Sequence, residues 1–132
     1  MAAYAHLNSP LLAELPCPQV YFHGHTGTRK DMMGVYELSA QRKANGAPVF
    51  VKRLEGGGQH FLYRDSHGKW AAADEESHLA KDMGWLASSE VADLPSEEGL
   101  RWNCYEGEWM NEPGVSCCPV RSPFRSSFHQ GR

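Results

Sequence analysis

Two histidines separated by one glycine, His23 and His25, form the strongest metal-binding pattern in the chain. In an extended segment, residues i and i+2 share a face, so both imidazoles would point the same way. A metal site needs three or four convergent ligands, and the sequence supplies only this pair. Further ligands could come from Cys17, His60, His67 and His78. We therefore expect a loop dipeptide without a metal or other cofactor, and we keep His23 and His25 as weak metal candidates.

Three other patterns resemble parts of catalytic or phosphate-binding sites, but their residue order or spacing does not fit such a site. Asp65-Ser66-His67 is consecutive, whereas the members of a hydrolase triad must form one hydrogen-bonded line, so a hairpin turn explains this run better. Gly56-Gly57-Gly58 precedes a strand-like run rather than a helix. Gly68-Lys69 lacks the first glycine and the following Ser or Thr of a phosphate-binding loop. We predict that the chain is not an enzyme.

Large aromatic side chains form a second class of candidate site. Flat rings can stack on a sugar or anchor a protein partner, because they bury much area at little entropic cost. The aromatic set comprises Tyr36, Phe50, Tyr63, Trp70, Trp85, Trp102, Tyr105 and Trp109. We expect at least half of these rings in the core, and we expect Phe61 and Tyr63, on one strand face, to be buried or exposed together. The candidate ligand-binding residues are Tyr63, Trp70, Trp85 and Trp109, with Asp65, Asn103 or Asn111 as polar neighbours.

The composition is typical of one soluble domain. The chain has 132 residues, of which 41% are hydrophobic and 22% charged, and its net charge is −3; this suits a folded domain with its own core. No run approaches the roughly 20 apolar residues that span a bilayer. Basic residues occur as pairs, such as Arg42-Lys43 and Lys52-Arg53, rather than as the patch that nucleic acids require. The first residues show no signal or transit pattern, so we expect an intracellular protein of unassigned compartment.

The four cysteines are too few for a disulfide scaffold, and none forms a C-x-x-C pair. They are Cys17, Cys104, Cys117 and Cys118. We expect free thiols, and a disulfide from Cys104 to Cys117 or Cys118 stays open as the alternative. Neighbouring residues of a strand face opposite sides, so Cys117 and Cys118 are not expected to act together.

Antiparallel strands are predicted to position these residues. Short aromatic or β-branched runs recur about every ten residues between Gly, Asn, Asp and Pro, which is typical of an all-β chain. Seven strands are predicted, over residues 35–38, 49–54, 60–64, 69–73, 85–88, 100–105 and 108–111. Asn45-Gly46 predicts a type I′ hairpin turn, and residues 77–83 predict a short helix that Gly84 ends. The predicted fold is all-β or β-dominated α+β: a small antiparallel sheet of six or seven short strands with at most one or two short helices.

Three zones are predicted along the chain. Residues 1–33 form a docking leader, residues 34–120 form a β-rich domain, and residues 121–132 form a basic tail that contains Ser and Pro. The tail has three arginines and no acid, so with a total of −3 the other 120 residues carry −6. Such a tail could fold back on the acidic body or bind an acidic partner, and a frayed terminus is an equally good interpretation. The predicted partner-binding residues are Leu11, Leu12, Leu15, Phe124, Arg125 and Phe128.

A series of short segments in the body carries a family resemblance. The segments are GVYEL at 34–38, NGAPVF at 45–50, FLY at 61–63, GKW at 68–70, GWL at 84–86, Leu94-Pro95, Trp102, GEW at 107–109 and EPGV at 112–115. Together they resemble a small β-rich domain that occurs, often repeated, in multidomain proteins of algae and other protists. The resemblance implies a module of recognition or assembly, and it transfers no catalytic residue.

These inferences give a ranked set of functions. The first is a noncatalytic protein-interaction module that acts as an accessory or assembly subunit of a larger complex through its terminal extensions. The alternative is a small-ligand module that binds carbohydrate with exposed aromatic rings. The third is a small metal-dependent enzyme that uses His23 and His25. Nucleic acid and an integral membrane segment are not expected.

Overall fold

The computed structural model describes residues 19–120 as one curled antiparallel sheet. Its strands are β1 (Gln19–His23), β2 (Gly34–Ala44), β3 (Ala47–Arg53), β4 (Gln59–Arg64), β5 (Lys69–Ala73), β6 (Leu86–Val91), β7 (Trp102–Tyr105), β8 (Trp109–Asn111) and β9 (Ser116–Pro119). Two 3₁₀ turns, Lys30–Met32 and Glu76–Lys81, are the helical elements of this part of the chain. The prediction of a β-dominated antiparallel fold is confirmed.

The strands follow one another across the sheet in the order β8-β7-β6-β5-β4-β3-β2-β1-β9. Successive hairpins therefore build the sheet from β1 to β8, and β9 then returns to pair with β1. The Asn45-Gly46 turn joins β2 to β3 with positive φ at both residues, 53° and 82°, as type I′ geometry requires.

The predicted strand count was wrong, because the described residues form nine strands rather than six or seven. The two additional strands are β1 and β9, which pair with each other. β9 contains two cysteines and a proline and no β-branched residue, so it lacks the usual strand signal. β1 lies within the segment that the sequence assigned to the leader, and the described sheet therefore begins before residue 34.

The inner face of the sheet encloses the main core. Phe22 on β1 lies 4.7 Å from Trp102 on β7 between ring centroids, although β2 to β6 separate these strands in the sheet. The sheet must therefore curl until its ends face one another. The largest side chains of this core are Phe22, Met32, Tyr36, Phe50, Leu62, Trp70, Leu86 and Trp102. The buried rings of Trp70 and Trp102 each remove a large apolar area from water, which is the main stabilising contribution in such a fold.

A smaller core lies on the outer face of β3, β4 and β5, under the second 3₁₀ turn. It comprises Val49, Val51, Phe61, Tyr63, Ala71 and Ala73, with Leu79 of the turn packed against it. Phe61 and Tyr63 are 3% and 0% exposed, so the prediction that they share one environment is confirmed. The Tyr63 hydroxyl donates to the Met83 carbonyl at 2.5 Å and to the His78 carbonyl at 3.2 Å, which fastens the turn to the sheet.

The short helix predicted over residues 77–83 is a 3₁₀ turn over Glu76–Lys81, and Gly84 does not end it. Asp82 adopts the left-handed conformation that ends the turn, with φ 57° and ψ 36°. Gly84 instead packs against β5, where an added Cβ would lie 2.7 Å from the Ala72 carbonyl oxygen. Between residues 19 and 120, no helix is long and apolar enough to cross a membrane.

Candidate functional site

Strand β7 contributes to two regions on opposite faces of the sheet. Trp102 and Cys104 point into the core and are buried, whereas Asn103 and Tyr105 alternate with them on the outer face. This alternation follows from the period of two in a strand. We call the two regions the inner polar cluster, comprising His25, Cys104, Glu106 and Glu112, and the outer aromatic groove, comprising Trp85, Tyr105 and Trp109 with the segment 82–84.

Three rings form a row across the outer aromatic groove. Trp85 lies 6.0 Å from Tyr105, and Tyr105 lies 5.4 Å from Trp109, between ring centroids. The register of β7 and β8 places Tyr105 opposite Trp109, and the Tyr105 amide donates to the Trp85 carbonyl at 2.8 Å. Trp109 is 51% exposed. The row lines an open groove of about 500 Å³, together with His78, Asp82, Met83 and Gly84.

An amide row lies beside the ring row on the same face. Asn103 pairs with Asn111 across β7 and β8, two residues from Tyr105 and Trp109. The Asn103 amide group donates to the Ser89 hydroxyl at 3.0 Å, and Asn111 is exposed. Asp65, the third polar neighbour predicted from the sequence, does not line the groove. Its carboxylate accepts hydrogen bonds from the His67 and Lys69 amides in the β4–β5 turn.

The predicted ligand-binding residues separate into two pairs. Trp85 and Trp109 meet in the groove, but Tyr63 and Trp70 are fully buried, so neither of these rings is accessible to a ligand and both leave the candidate set. Trp70 packs in the main core, where its indole N–H donates to the Ala92 carbonyl at 2.9 Å. Burial extends to five of the eight rings in the aromatic set, namely Tyr36, Phe50, Tyr63, Trp70 and Trp102. The expectation that at least half of them form the core is confirmed.

The inner polar cluster begins with a close backbone approach after β1. Gly24 has φ +110°, and an added Cβ would lie 1.9 Å from the Gly114 carbonyl oxygen. Glycine is therefore required where the chain passes this loop. The next residue, His25, is 6% exposed and points toward the turn between β7 and β8.

Both nitrogens of the His25 ring face carboxylates. Nδ1 lies 3.4 Å from Oε1 of Glu112, and Nε2 lies 3.1 Å from Oε2 of Glu106. Nε2 also accepts a hydrogen bond from the Arg29 amide at 3.2 Å and lies 3.9 Å from Sγ of Cys104. The imidazole thus brings the loop after β1 into contact with the β7–β8 turn and with the residue that follows β8.

Hydrogen bonds and burial set the ionisation of the cluster. The Thr28 hydroxyl and amide donate to Oε2 of Glu106 at 3.0 and 3.2 Å, and they hold the pKa of this carboxyl below its usual range. Burial raises the pKa of the Cys104 thiol to about 11, and the negative charges of Glu106 and Glu112 add to the effect. The thiol is therefore protonated at neutral pH, whereas Glu106 is ionised.

The order Cys104, His25, Glu112 matches the nucleophile, base and orienting acid of a thiol hydrolase. A nucleophilic cysteine, however, needs an accessible thiol with a lowered pKa. Cys104 is 0% exposed and its pKa is raised, which disfavours nucleophilic catalysis here. The same thiol, imidazole and carboxylate are a donor set that transition metals bind, and the donor atoms of His25, Cys104 and Glu106 all lie within 4.8 Å of one another.

The weak metal candidates from the sequence also separate. His25 belongs to the cluster, but His23 contacts the Ser116 hydroxyl at 3.0 Å through Nε2 and stacks on Tyr21. The sequence missed Cys104, Glu106 and Glu112 as neighbours of His25, because about eighty residues separate them from it and no local pattern joins them. A second donor group, Asp74, Glu75 and His78, comes from one local turn.

The remaining predicted sites concern residues outside the described range. Leu11, Leu12, Leu15, Phe124, Arg125 and Phe128 all lie there, as does Cys17. The described cysteines Cys104, Cys117 and Cys118 are free thiols.

Comparisons with known proteins give the chain no relatives to compare residue by residue. No family model, no curated protein and no solved structure matches it. The resemblance to a repeated β-rich domain of protists stays a prediction.

Proposed function

We propose that this protein is a noncatalytic binding module and that its outer aromatic groove binds carbohydrate. One observation carries the proposal: the row of Trp85, Tyr105 and Trp109 lies directly beside the amide row of Asn103 and Asn111. Carbohydrate ligands present apolar C–H faces together with many hydroxyl groups. A site for them needs flat rings and adjacent hydrogen-bonding groups, and this face supplies both.

The groove also has a suitable size and exposure. Its volume of about 500 Å³ lies within the range of small-ligand sites. Trp109 and Met83 are 51% and 47% exposed, and the carboxylate of Asp82 at the rim adds a hydrogen-bond acceptor. A ligand of one or a few sugar rings would cover apolar surface that the described part of the fold leaves in water.

The rings are held in place before any ligand arrives. Backbone pairing of β6, β7 and β8 sets the spacing of the row. The Arg29 guanidinium carbon lies 3.4 Å from the centroid of the Trp85 ring, so a cation–π contact fixes this ring. Because little side-chain freedom is lost on binding, such preorganisation favours affinity.

Tryptophan fluorescence and calorimetry with a panel of soluble glycans test this proposal. We expect at least one glycan to change the emission of the natural chain. Trp109→Ala should weaken its binding by about tenfold or more, since a few aromatic anchors supply much of the binding energy in such sites and Trp109 is the most exposed ring of the row. Met110→Ala is the matched control, because Met110 is also exposed on β8 but belongs to the opposite face. A panel without any binder, or equal losses in both variants, would contradict the proposal.

The predicted role as an assembly subunit remains a separate proposal. Its contact residues lie in the extensions, so the described fold does not bear on it. Replacing Phe124 and Phe128 with alanine in the full chain should reduce capture of a larger complex from native lysate, while a Leu11→Asp, Leu12→Asp chain tests the other extension. Unchanged capture by both variants would contradict attachment through the extensions.

A further inference from the structure

We propose that His25, Cys104 and Glu106 form a binding site for one divalent transition metal ion, for which Zn²⁺ is the best match. The site lies at the inner polar cluster, on the opposite face from the aromatic groove, and it does not depend on the proposed carbohydrate function. The ion would join the loop after β1 to the β7–β8 turn.

The donor atoms already have nearly the spacing of a tetrahedral zinc site. Nε2 of His25 lies 3.1 Å from Oε2 of Glu106 and 3.9 Å from Sγ of Cys104. Zinc bonds of usual length at tetrahedral angles place such ligand atoms about 3.4–3.6 Å apart. The donor atoms of Cys104 and Glu106 lie within 4.8 Å of each other, so these two side chains would adjust for all three atoms to reach one ion. The ion would take over the Nε2 lone pair from the Arg29 amide.

The surrounding residues provide the outer hydrogen bonds that metal sites use. A histidine that ligates a metal through one ring nitrogen usually donates the other N–H to a carboxylate. Here Nδ1 of His25 faces Glu112 at 3.4 Å, which turns Nε2 toward Cys104 and Glu106. Thr28 orients the Glu106 carboxylate with its amide and hydroxyl. Two of the three proposed ligands are thus oriented by hydrogen-bonding partners of their own, as ligands of metal sites usually are.

Glycine keeps the approach to these donors open. An added Cβ at Gly27 would lie 2.8 Å from Oε2 of Glu106 and 3.1 Å from Nε2 of His25. A side chain at this position would enter the space between two of the proposed ligands. The pattern His23-Gly24-His25-Thr26-Gly27-Thr28 thus supplies one ligand, His25, one supporting residue, Thr28, and one glycine, Gly27, that leaves room beside the donors.

Charge and ligand type favour Zn²⁺ over other common ions. Two partly exposed carboxylates flank one buried imidazole, and a cation would offset their charge. A thiol and an imidazole are poor ligands for Ca²⁺ or Mg²⁺, which prefer oxygen, but they suit Zn²⁺. The Glu106 side chain is 31% exposed against 4% for His25, so water can reach a fourth coordination position from the Glu106 side.

Calorimetry with Zn²⁺ and absorption spectroscopy with Co²⁺, on the full chain without a histidine tag, test the site. We expect one ion per chain and a cobalt–thiolate charge-transfer band. Cys104→Ser should abolish the band, and Glu106→Gln should weaken Zn²⁺ binding by at least about tenfold. The band should survive in two control variants, Cys118→Ser and Cys17→Ser, and Glu108→Gln should retain Zn²⁺ affinity as an exposed acid of the same turn.

Circular dichroism of each variant shows whether it folds. If Cys104→Ser does not fold, Glu106→Gln still tests the site, because it preserves the size of a partly exposed side chain and is expected to fold. A rise of Tm with Zn²⁺ concentration in the natural chain, absent in Glu106→Gln, would support the site further. The proposal is overturned if the natural chain binds no Zn²⁺ or if its cobalt spectrum lacks a thiolate band. It is also overturned if Cys104→Ser retains the band while Cys17→Ser or Cys118→Ser loses it, because another cysteine would then be the ligand.

Discussion

The inner polar cluster and the outer aromatic groove occupy opposite faces of the same hairpin, and consecutive residues of that hairpin alternate between them. Cys104 points into the cluster, Tyr105 points into the groove, and Glu106 turns back to His25. The groove is built from three strands that follow one another closely along the chain. The cluster instead requires the loop after β1 to meet the β7–β8 turn. Local strand pairing thus sets the spacing of the groove's three rings, with Arg29 of the loop after β1 added against Trp85, whereas the cluster depends on closure of the whole sheet.

Arg29 contacts both regions, the cluster through its backbone amide and the Trp85 ring of the groove through its side chain. Its backbone amide donates to His25 in the cluster at 3.2 Å, and its guanidinium packs on the ring of Trp85, which lines the groove. A change to the side chain therefore removes the contact with Trp85 and the charge that lowers the pKa of Cys104, but it leaves the amide in place. A change to the backbone near Gly24 affects the cluster first. This difference provides the means to separate the two regions experimentally.

Gly24→Ala should produce the largest effect, because it acts on sheet closure. The new Cβ would collide with the Gly114 carbonyl, and alanine also disfavours φ +110°. We expect a loss of about 3 kcal/mol or more in the free energy of unfolding, measured by urea denaturation. Gly46→Ala is the matched control, since Gly46 has φ +82° but no atom within 4 Å of the added Cβ. Its cost should be about 1–2 kcal/mol, from the backbone alone.

Equal costs for the two alanine variants would show that Gly24 does not depend on the contact with Gly114. The inner polar cluster would then not depend on closure of the sheet more than the outer aromatic groove does. If Gly24→Ala still folds, its cobalt spectrum should be altered while glycan binding in the groove persists.

Arg29→Ala should have a smaller effect that acts chiefly on the groove, with only the electrostatic influence of its charge on the Cys104 thiol lost in the cluster. Loss of the guanidinium removes the cation–π contact with Trp85, which is worth about 0.5–2 kcal/mol, and it allows water to reach the indole. We expect a red shift of tryptophan emission and weaker glycan binding, with an unchanged cobalt–thiolate band. Arg101→Ala is the control, because this exposed arginine pairs with Glu90 and has no aromatic contact among the described residues. A cobalt spectrum altered by Arg29→Ala would mean that the two regions are coupled through this side chain.

The sequence predicts the groove better than the cluster for the same physical reason. Hairpins join residues close in the chain, so alternation and turn residues such as Asn45-Gly46 predict that β2 to β8 exist, although β2 runs to Ala44 rather than ending at Leu38. β1 and β9 pair across nearly a hundred residues, and no local signal records that pairing. The sequence identifies His25 as a candidate ligand. Only the closed sheet of the structure identifies Cys104 and Glu106 as its neighbours.

Tyr63 and Trp70 show a second limit of sequence reasoning. Alternation along β4 and β5 correctly indicates which residues share a face, but it does not show that both faces of these strands are covered. Tyr63 lies under the second 3₁₀ turn and Trp70 lies in the main core. Tyr105 was part of the aromatic set, yet its place between Trp85 and Trp109 follows from the register of three strands, which the residue types alone do not specify.

The smallest expected effect concerns two carboxylates that are held in the same way, one in each region. Thr28 donates its amide and hydroxyl to Glu106 in the cluster, and Ser66 donates its amide and hydroxyl to Asp82 at the rim of the groove. The hydrogen bonds from Ser66 hold the pKa of Asp82 below its ordinary value. Asp82 is exposed enough to be tested by itself, and asparagine tolerates its left-handed backbone conformation.

Asp82→Asn should lower stability slightly at neutral pH, because the ionised carboxylate accepts these hydrogen bonds more strongly than an amide does. A depressed pKa means that the unfolded chain takes up the proton first as the pH falls. The contribution is therefore present above the unfolded pKa of about 3.9 and is lost as the pH falls through the folded pKa. Urea midpoints of the natural chain and Asp82→Asn should differ at pH 7 and converge below that window. Glu98→Gln, at an exposed loop acid, should give no difference at either pH, and a gap for Asp82→Asn that persists in acid would contradict the role of its charge.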